Sequence, residues 1–101
     1  MDEETIKIFE QLGFTRWTKR GMDRLYITPQ QIGLEIKYGC NNSVLSGKIN
    51  GEKIKSGREA RKLKYSKVYI DIKDGSTHAE DERLITALHI FLEGKLNDYE
   101  K

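Results

Sequence analysis

From Leu84 to Leu92 the apolar residues Leu84, Ile85, Leu88, Phe91 and Leu92 recur at helical spacing, and Gly94 stands just beyond them as the expected stop. A helix with one apolar face must cover an apolar surface. That surface is written upstream with period two: Val68, Ile70 and Ile72 alternate with Tyr69 and Asp71, and Leu25 and Ile27 alternate with Arg24 and Tyr26. Such alternation marks strands with one dry and one wet face.

The other elements follow from the same two periods. Thr5, Ile8, Phe9 and Leu12 share a helical face behind the acidic start Asp2-Glu3-Glu4, with Gly13 as the stop, and predict a first helix. Phe14 to Lys19 and Arg24 to Thr28 read as a hairpin turning around Lys19-Arg20-Gly21-Met22-Asp23. Thr28-Pro29-Gln30-Gln31 reads as a capped single helical turn, because proline is tolerated at the first helical position. Strands are expected at Leu34 to Tyr38, with Leu34, Ile36 and Tyr38 on one face, and at Val44 to Ile49, which meets the hairpin dipeptide Asn50-Gly51 and returns through Glu52 to Lys55. Ser56-Gly57-Arg58-Glu59 matches a capping box opening a short basic helix to about Lys64. Lys67 to Lys73 is the next strand, Asp74-Gly75 a turn, and Thr77-His78-Ala79-Glu80 a second capping box before the last helix, after which Lys95 to Lys101 is expected to fray.

These elements predict an α+β fold: an antiparallel sheet of about five strands, both amphipathic helices on one face, and a short basic helix. At 101 residues one domain, 1–101, is expected, with a thin core, since 37% of residues are hydrophobic and 34% charged. The longest apolar run, Ile85 to Phe91, is interrupted by Thr86 and His89 and is far short of the roughly 20 residues of a membrane span. The acidic residues after Met1 and the single cysteine, Cys40, predict a cytoplasmic protein. Sheet edges at Leu34 to Tyr38 or Lys67 to Lys73 offer a surface for pairing, although no residue requires it.

Catalytic patterns are hard to find. Cys40 has no histidine near it in sequence, since His78 and His89 lie far downstream, and these three residues lack metal-ligand spacing. The acidic stretch Asp71 to Glu82 does not carry the alternating acids of a calcium loop, and neither a phosphate-binding glycine loop nor a serine elbow is present. The expectation is therefore a protein that binds, without cofactor or metal.

Charge placement suggests where it binds. The net charge of +2 conceals blocks of +3 over residues 13–25 and +6 over residues 48–67, with acidic termini. In the second block Arg58, Arg61 and Lys62 share one helical face, with Lys55 just ahead and Tyr65 and Tyr69 just after. In the first, Arg16, Lys19, Arg20 and Arg24 surround Trp17, whose size argues for the core. If the blocks meet, they form a positive face for phosphates or an acidic protein surface. The element order departs from a standard RNA-recognition motif and from a helix-turn-helix, so nucleic-acid contact is expected to be mainly electrostatic.

The run Arg16-Trp17-Thr18-Lys19-Arg20-Gly21-Met22-Asp23-Arg24-Leu25-Tyr26-Ile27, with Gly33-Leu34-Glu35, Asn50-Gly51-Glu52-Lys53-Ile54, Glu59-Ala60-Arg61 and Tyr69-Ile70-Asp71, resembles small proteins carried by phages and conjugative elements of Gram-positive bacteria. The resemblance spans roughly residues 14–75. By size and setting it extends to anti-CRISPR proteins, and it implies a non-catalytic inhibitor whose partner is a CRISPR effector nuclease or its guide RNA. The acidic DNA mimics of that class differ from a chain at +2, so a clamp on guide RNA or on an acidic protein surface is the expected form. The alternative reading of the same basic residues is a nucleic-acid-binding accessory or regulatory protein.

Overall fold

The computed structural model describes residues 1–99 and is α+β. Helix α1 covers Glu3–Gln11, strands β1 and β2 cover Thr15–Lys19 and Met22–Ile27, and a single 3-10 turn covers Pro29–Ile32. Strands β3, β4 and β5 follow at Glu35–Tyr38, Val44–Ile49 and Glu52–Lys53, then α2 at Gly57–Lys64, β6 at Val68–Asp71, β7 at Thr77–Ala79 and α3 at Glu82–Tyr99.

The expected single sheet of about five strands is instead two antiparallel sheets, a four-stranded one in the order β1-β2-β6-β7 and a three-stranded one in the order β3-β4-β5. The Pro29–Ile32 turn divides them. Thr28 Oγ accepts from the Gln31 N–H at 3.4 Å, and the Gln31 carboxamide oxygen accepts from the Thr28 N–H at 2.9 Å. This reciprocal cap swings the chain out of the first sheet, so β3 pairs with β4 and the place beside β2 is taken by β6. Lys67 to Lys73 is thus an interior position between β2 and β7, not the edge its sequence suggested.

Three other expectations are corrected. Thr77 to Ala79 pairs with Val68 to Ile70 as β7 instead of capping a helix, because the tight Asp74-Gly75 reversal, with the Gly75 N–H donating to the Asp71 carbonyl, brings it back beside β6. Asp81 starts α3 instead, its Oδ1 accepting from the Arg83 N–H at 2.9 Å. Gly94 does not stop α3, which runs to Tyr99; an interior glycine costs a helix only about 1 kcal/mol and ends it when the backbone turns left-handed, which Gly94 does not do. The expected fraying at Lys95 to Lys101 is replaced by helix through Tyr99, and residues 100–101 lie outside the described residues. In α1, Ile6 is buried beside Phe9, while Thr5, Ile8 and Leu12 are half-buried, so the apolar face is rotated toward Ile6.

The inner face of the four-stranded sheet, Leu25, Ile27, Val68 and Ile70, forms the core with Ile6 and Phe9 of α1 and Leu84, Ala87 and Leu88 of α3. Full burial of each such aliphatic side chain contributes about 1.5–3 kcal/mol. Both long helices contribute to the core on this face, as expected, but α3 also contacts the Pro29–Ile32 turn and β4 and so bridges the two sheets. The short basic helix α2 packs on β4 through Ala60 and Leu63. Gly47 permits that approach. A Cβ there would stand 2.8 Å from the Glu35 carbonyl oxygen and 3.2 Å from the Ala60 Cβ. Among the described residues no helix is long and apolar enough to cross a membrane.

Candidate functional site

The outer face of the four-stranded sheet carries the other half of each alternating strand, with Trp17, Lys19 and His78 exposed on it. The β1–β2 hairpin closes through Arg20-Gly21, both with positive φ (50° and 80°), the backbone of a two-residue turn matched to strand twist. This register sets Trp17 opposite Arg24 and Thr15 opposite Tyr26; β6 then places Tyr69 opposite Tyr26 and Asp71 opposite Arg24, and β7 places His78 opposite Tyr69.

The result is a row of rings across all four strands. Trp17 meets Tyr26 edge-on at 6.2 Å, Tyr26 lies 5.2 Å from Tyr69, and Tyr69 stacks on His78 at 4.9 Å with an interplanar angle of 16°. Trp17, expected in the core, is 38% exposed, because it lies on the wet face of an edge strand. It and His78 are the exposed ends of the row, while Tyr26 and Tyr69 are half-buried between them. Arg24 lies over this row with its guanidinium carbon 4.4 Å from the Tyr69 ring centroid, and its Nη1 donates to the Tyr26 hydroxyl at 3.2 Å. That hydrogen bond raises its already high pKa. Its Nε is buried with no acceptor among the described residues, so the ring contact and the tyrosine hydroxyl hold the guanidinium. His78 Nε2 is 2.7 Å from the Ser76 hydroxyl, which donates to Asp74 Oδ1 at 2.6 Å.

The sequence-derived basic residues divide by environment. Arg16 lies on the opposite, helix-side face: its Nη2 and Nε bind Asp23 at 2.6 and 3.0 Å, and its Nη1 binds Glu3 at 3.3 Å. The Asp23 carboxylate, with Glu3, raises its pKa, and the Arg16 guanidinium in turn holds Asp23 below the usual carboxylate range. Lys19 and Arg20 are exposed at the hairpin end, Lys19 two residues from Trp17 on the same face. On the second block Lys55, Arg58, Arg61 and Lys62 are all exposed, but Arg61 and Lys62 line different clefts. Lys62 borders Glu59, Glu80 and Asp81; Arg61 borders Asn41, Lys64 and Tyr65. Tyr65 is 68% exposed, and Tyr69 belongs to the ring row.

Comparison with protein-family models, curated proteins and solved structures finds no match. The geometry therefore carries the functional reading.

Sequence reasoning missed five participants: Tyr26, His78, Tyr38, Lys64 and Lys67. Lys64 lies 4.9 Å from the centroid of the Tyr38 ring and 5.2 Å from that of Tyr65. Its ammonium lowers the Tyr38 pKa, and the phenol in turn raises that of Lys64. Tyr38 is 42% exposed at the end of β3, and the register shift beside it leaves the extra residue, Leu45, on β4. A cleft between the four-stranded sheet and the end of α2 is lined by Tyr26 of the sheet and by Lys64, Tyr65 and Lys67, but by none of Arg16, Lys19, Arg20 or Arg24.

Proposed function

We propose that this protein acts by binding, not catalysis, and that its outer sheet face takes single-stranded nucleic acid. The observation that carries the reading is the row Trp17, Tyr26, Tyr69 and His78 with Arg24 set against it. Unpaired bases stack on exposed rings such as Trp17 and His78, the ends of the row, with about 1–3 kcal/mol each, and every base has a face to offer. Duplex DNA keeps its faces inside the helix and gains only the charge term. The exposed cations Lys19, Arg20 and Lys67 flank the rings, where the phosphates of a stacked strand would run. On this reading stacking adds a salt-resistant part to the electrostatic attraction expected from the basic blocks.

The inhibitor reading uses the same face. The strand is then the guide RNA of a CRISPR effector nuclease, and an anti-CRISPR-type protein of mobile-element origin blocks the complex, in a bacterial cytoplasm, by occupying that RNA. As an accessory protein the chain would hold free strands instead.

Fluorescence anisotropy with labelled single strands, the matching duplex and a guide-loaded nuclease tests the proposal. Tighter binding to single strands than to duplex supports the ring face, and a further gain on the loaded nuclease assigns the inhibitor form. Equal, salt-sensitive binding to single strand and duplex overturns it.

A further inference from the structure

The cleft between the sheet and the end of α2 has the composition of a second binding subsite. It measures about 320 Å³, and its floor includes Ile27, Pro29 and Val68. Tyr26, a member of the ring row, stands at one side, and Tyr65, 68% exposed, at the other. Lys64 and Lys67 lie on its rim, and none of the described residues lining it is acidic. Lys67 has no ion-pair partner among the described residues, whereas Arg16 and Arg83 are both committed to carboxylates. The neighbouring cleft around Lys62 is the opposite case, since Glu59, Glu80 and Asp81 line it and would repel an anion.

We infer that this cleft is a subsite for one nucleotide of the bound strand, its base between Tyr26 and Tyr65 and its phosphate on Lys64 and Lys67. The ligand class follows from the pairing of features: an apolar floor and two aromatic sides suit a planar base, and two cations without an acidic neighbour suit a phosphate. Because Tyr26 borders both the cleft and the ring row, the strand continues from the sheet into the cleft toward Tyr65. This inference rests on the single-strand reading for its ligand, and adds to it a path and a minimum length.

The test is the affinity of oligouridylates of two to eight nucleotides for the wild-type protein, Tyr65→Ala, the double variant Lys64→Gln/Lys67→Gln, and Trp17→Ala. Tyr65 projects from the surface beyond α2, so its truncation leaves the core intact, which a thermal melt verifies. The expected result is that Tyr65→Ala loses at least about fivefold affinity for the longer oligomers and reaches its plateau at a shorter length, with the dinucleotide unaffected. The lysine variant should flatten the slope of log K against log salt by about 0.7 per lost phosphate contact. If both variants bind long oligomers like wild type while Trp17→Ala does not, the cleft is not a subsite and the ring face stands. If the wild-type protein binds no oligomer, the single-strand reading falls, and the subsite falls with it.

Discussion

Arg24 and Tyr69, on neighbouring strands, are locked together with the guanidinium carbon 4.4 Å from the ring centroid, and the same guanidinium donates to Tyr26. One arginine thus orients two rings of the row. Arg16, on the neighbouring strand β1 and equally charged, is on the other face and spent on Asp23 and Glu3. Removing either arginine changes net charge by the same amount, so the pair separates local geometry from bulk charge. Arg24→Ala should weaken single-strand binding at least about fivefold, whereas Arg16→Ala should leave affinity unchanged within error. Anisotropy titrations of the two variants at one salt concentration check this; equal losses would mean that charge alone matters.

The approach of α2 to β4 depends on a missing side chain. At Gly47 a Cβ would meet the Glu35 carbonyl oxygen at 2.8 Å, Ile54 Cδ1 at 3.0 Å and Ala60 Cβ at 3.2 Å, and a backbone carbonyl in a paired strand cannot step aside. Gly47→Ala should therefore destabilise the fold by about 1–3 kcal/mol. Chemical denaturation of the variant beside wild type reads the difference directly.

Arg20 is a non-glycine residue with φ of 50° at the first position of the β1–β2 turn. The left-handed region disfavours its side chain and tolerates asparagine better. Arg20→Asn should stabilise the protein by up to about 1 kcal/mol, seen as a raised melting temperature, while removing one cation from the edge of the ring face.

Much of this architecture was legible in the sequence, and the limits have physical causes. The wet and dry faces of β2 and β6 follow from their alternation, so Tyr26 and Tyr69 were assignable to a solvent face. That they lie side by side was not, because alternation gives facing and says nothing of which strands pair. Size alone points Trp17 to the core, and its wet-face position on an edge strand appears only with the hairpin register. Thr77 to Ala79 fits a helix cap equally well on paper; the turn at Asp74-Gly75 decides for a strand and so brings His78 to Tyr69. The Ser56 cap was half right: Ser56 Oγ accepts from the Glu59 N–H at 3.2 Å, but the Glu59 carboxylate is bound to Arg83 at 2.7 Å, outside the box.

That same arginine makes a prediction about acid. Arg83 also binds Asp81 at 2.8 Å, and its hydrogen bond holds the Asp81 carboxyl below the usual carboxylate range. A carboxyl with a lowered pKa in the folded state stabilises it above the unfolded value of about 4, and this contribution is lost as pH falls through that value and below. Asp81→Asn keeps a capping oxygen and removes the charge. It should cost at most about 1 kcal/mol at pH 7, and the difference from wild type should vanish toward pH 2, as denaturation curves at the two pH values show.

The most direct measurement uses the protein's one tryptophan, which is a member of the proposed site. Titrating unlabelled oligouridylate into the protein should quench Trp17 fluorescence saturably, with the same midpoint as an anisotropy titration, and with a part of the affinity retained as salt rises. Binding seen by anisotropy with unchanged Trp17 emission would place the strand elsewhere and contradict the account.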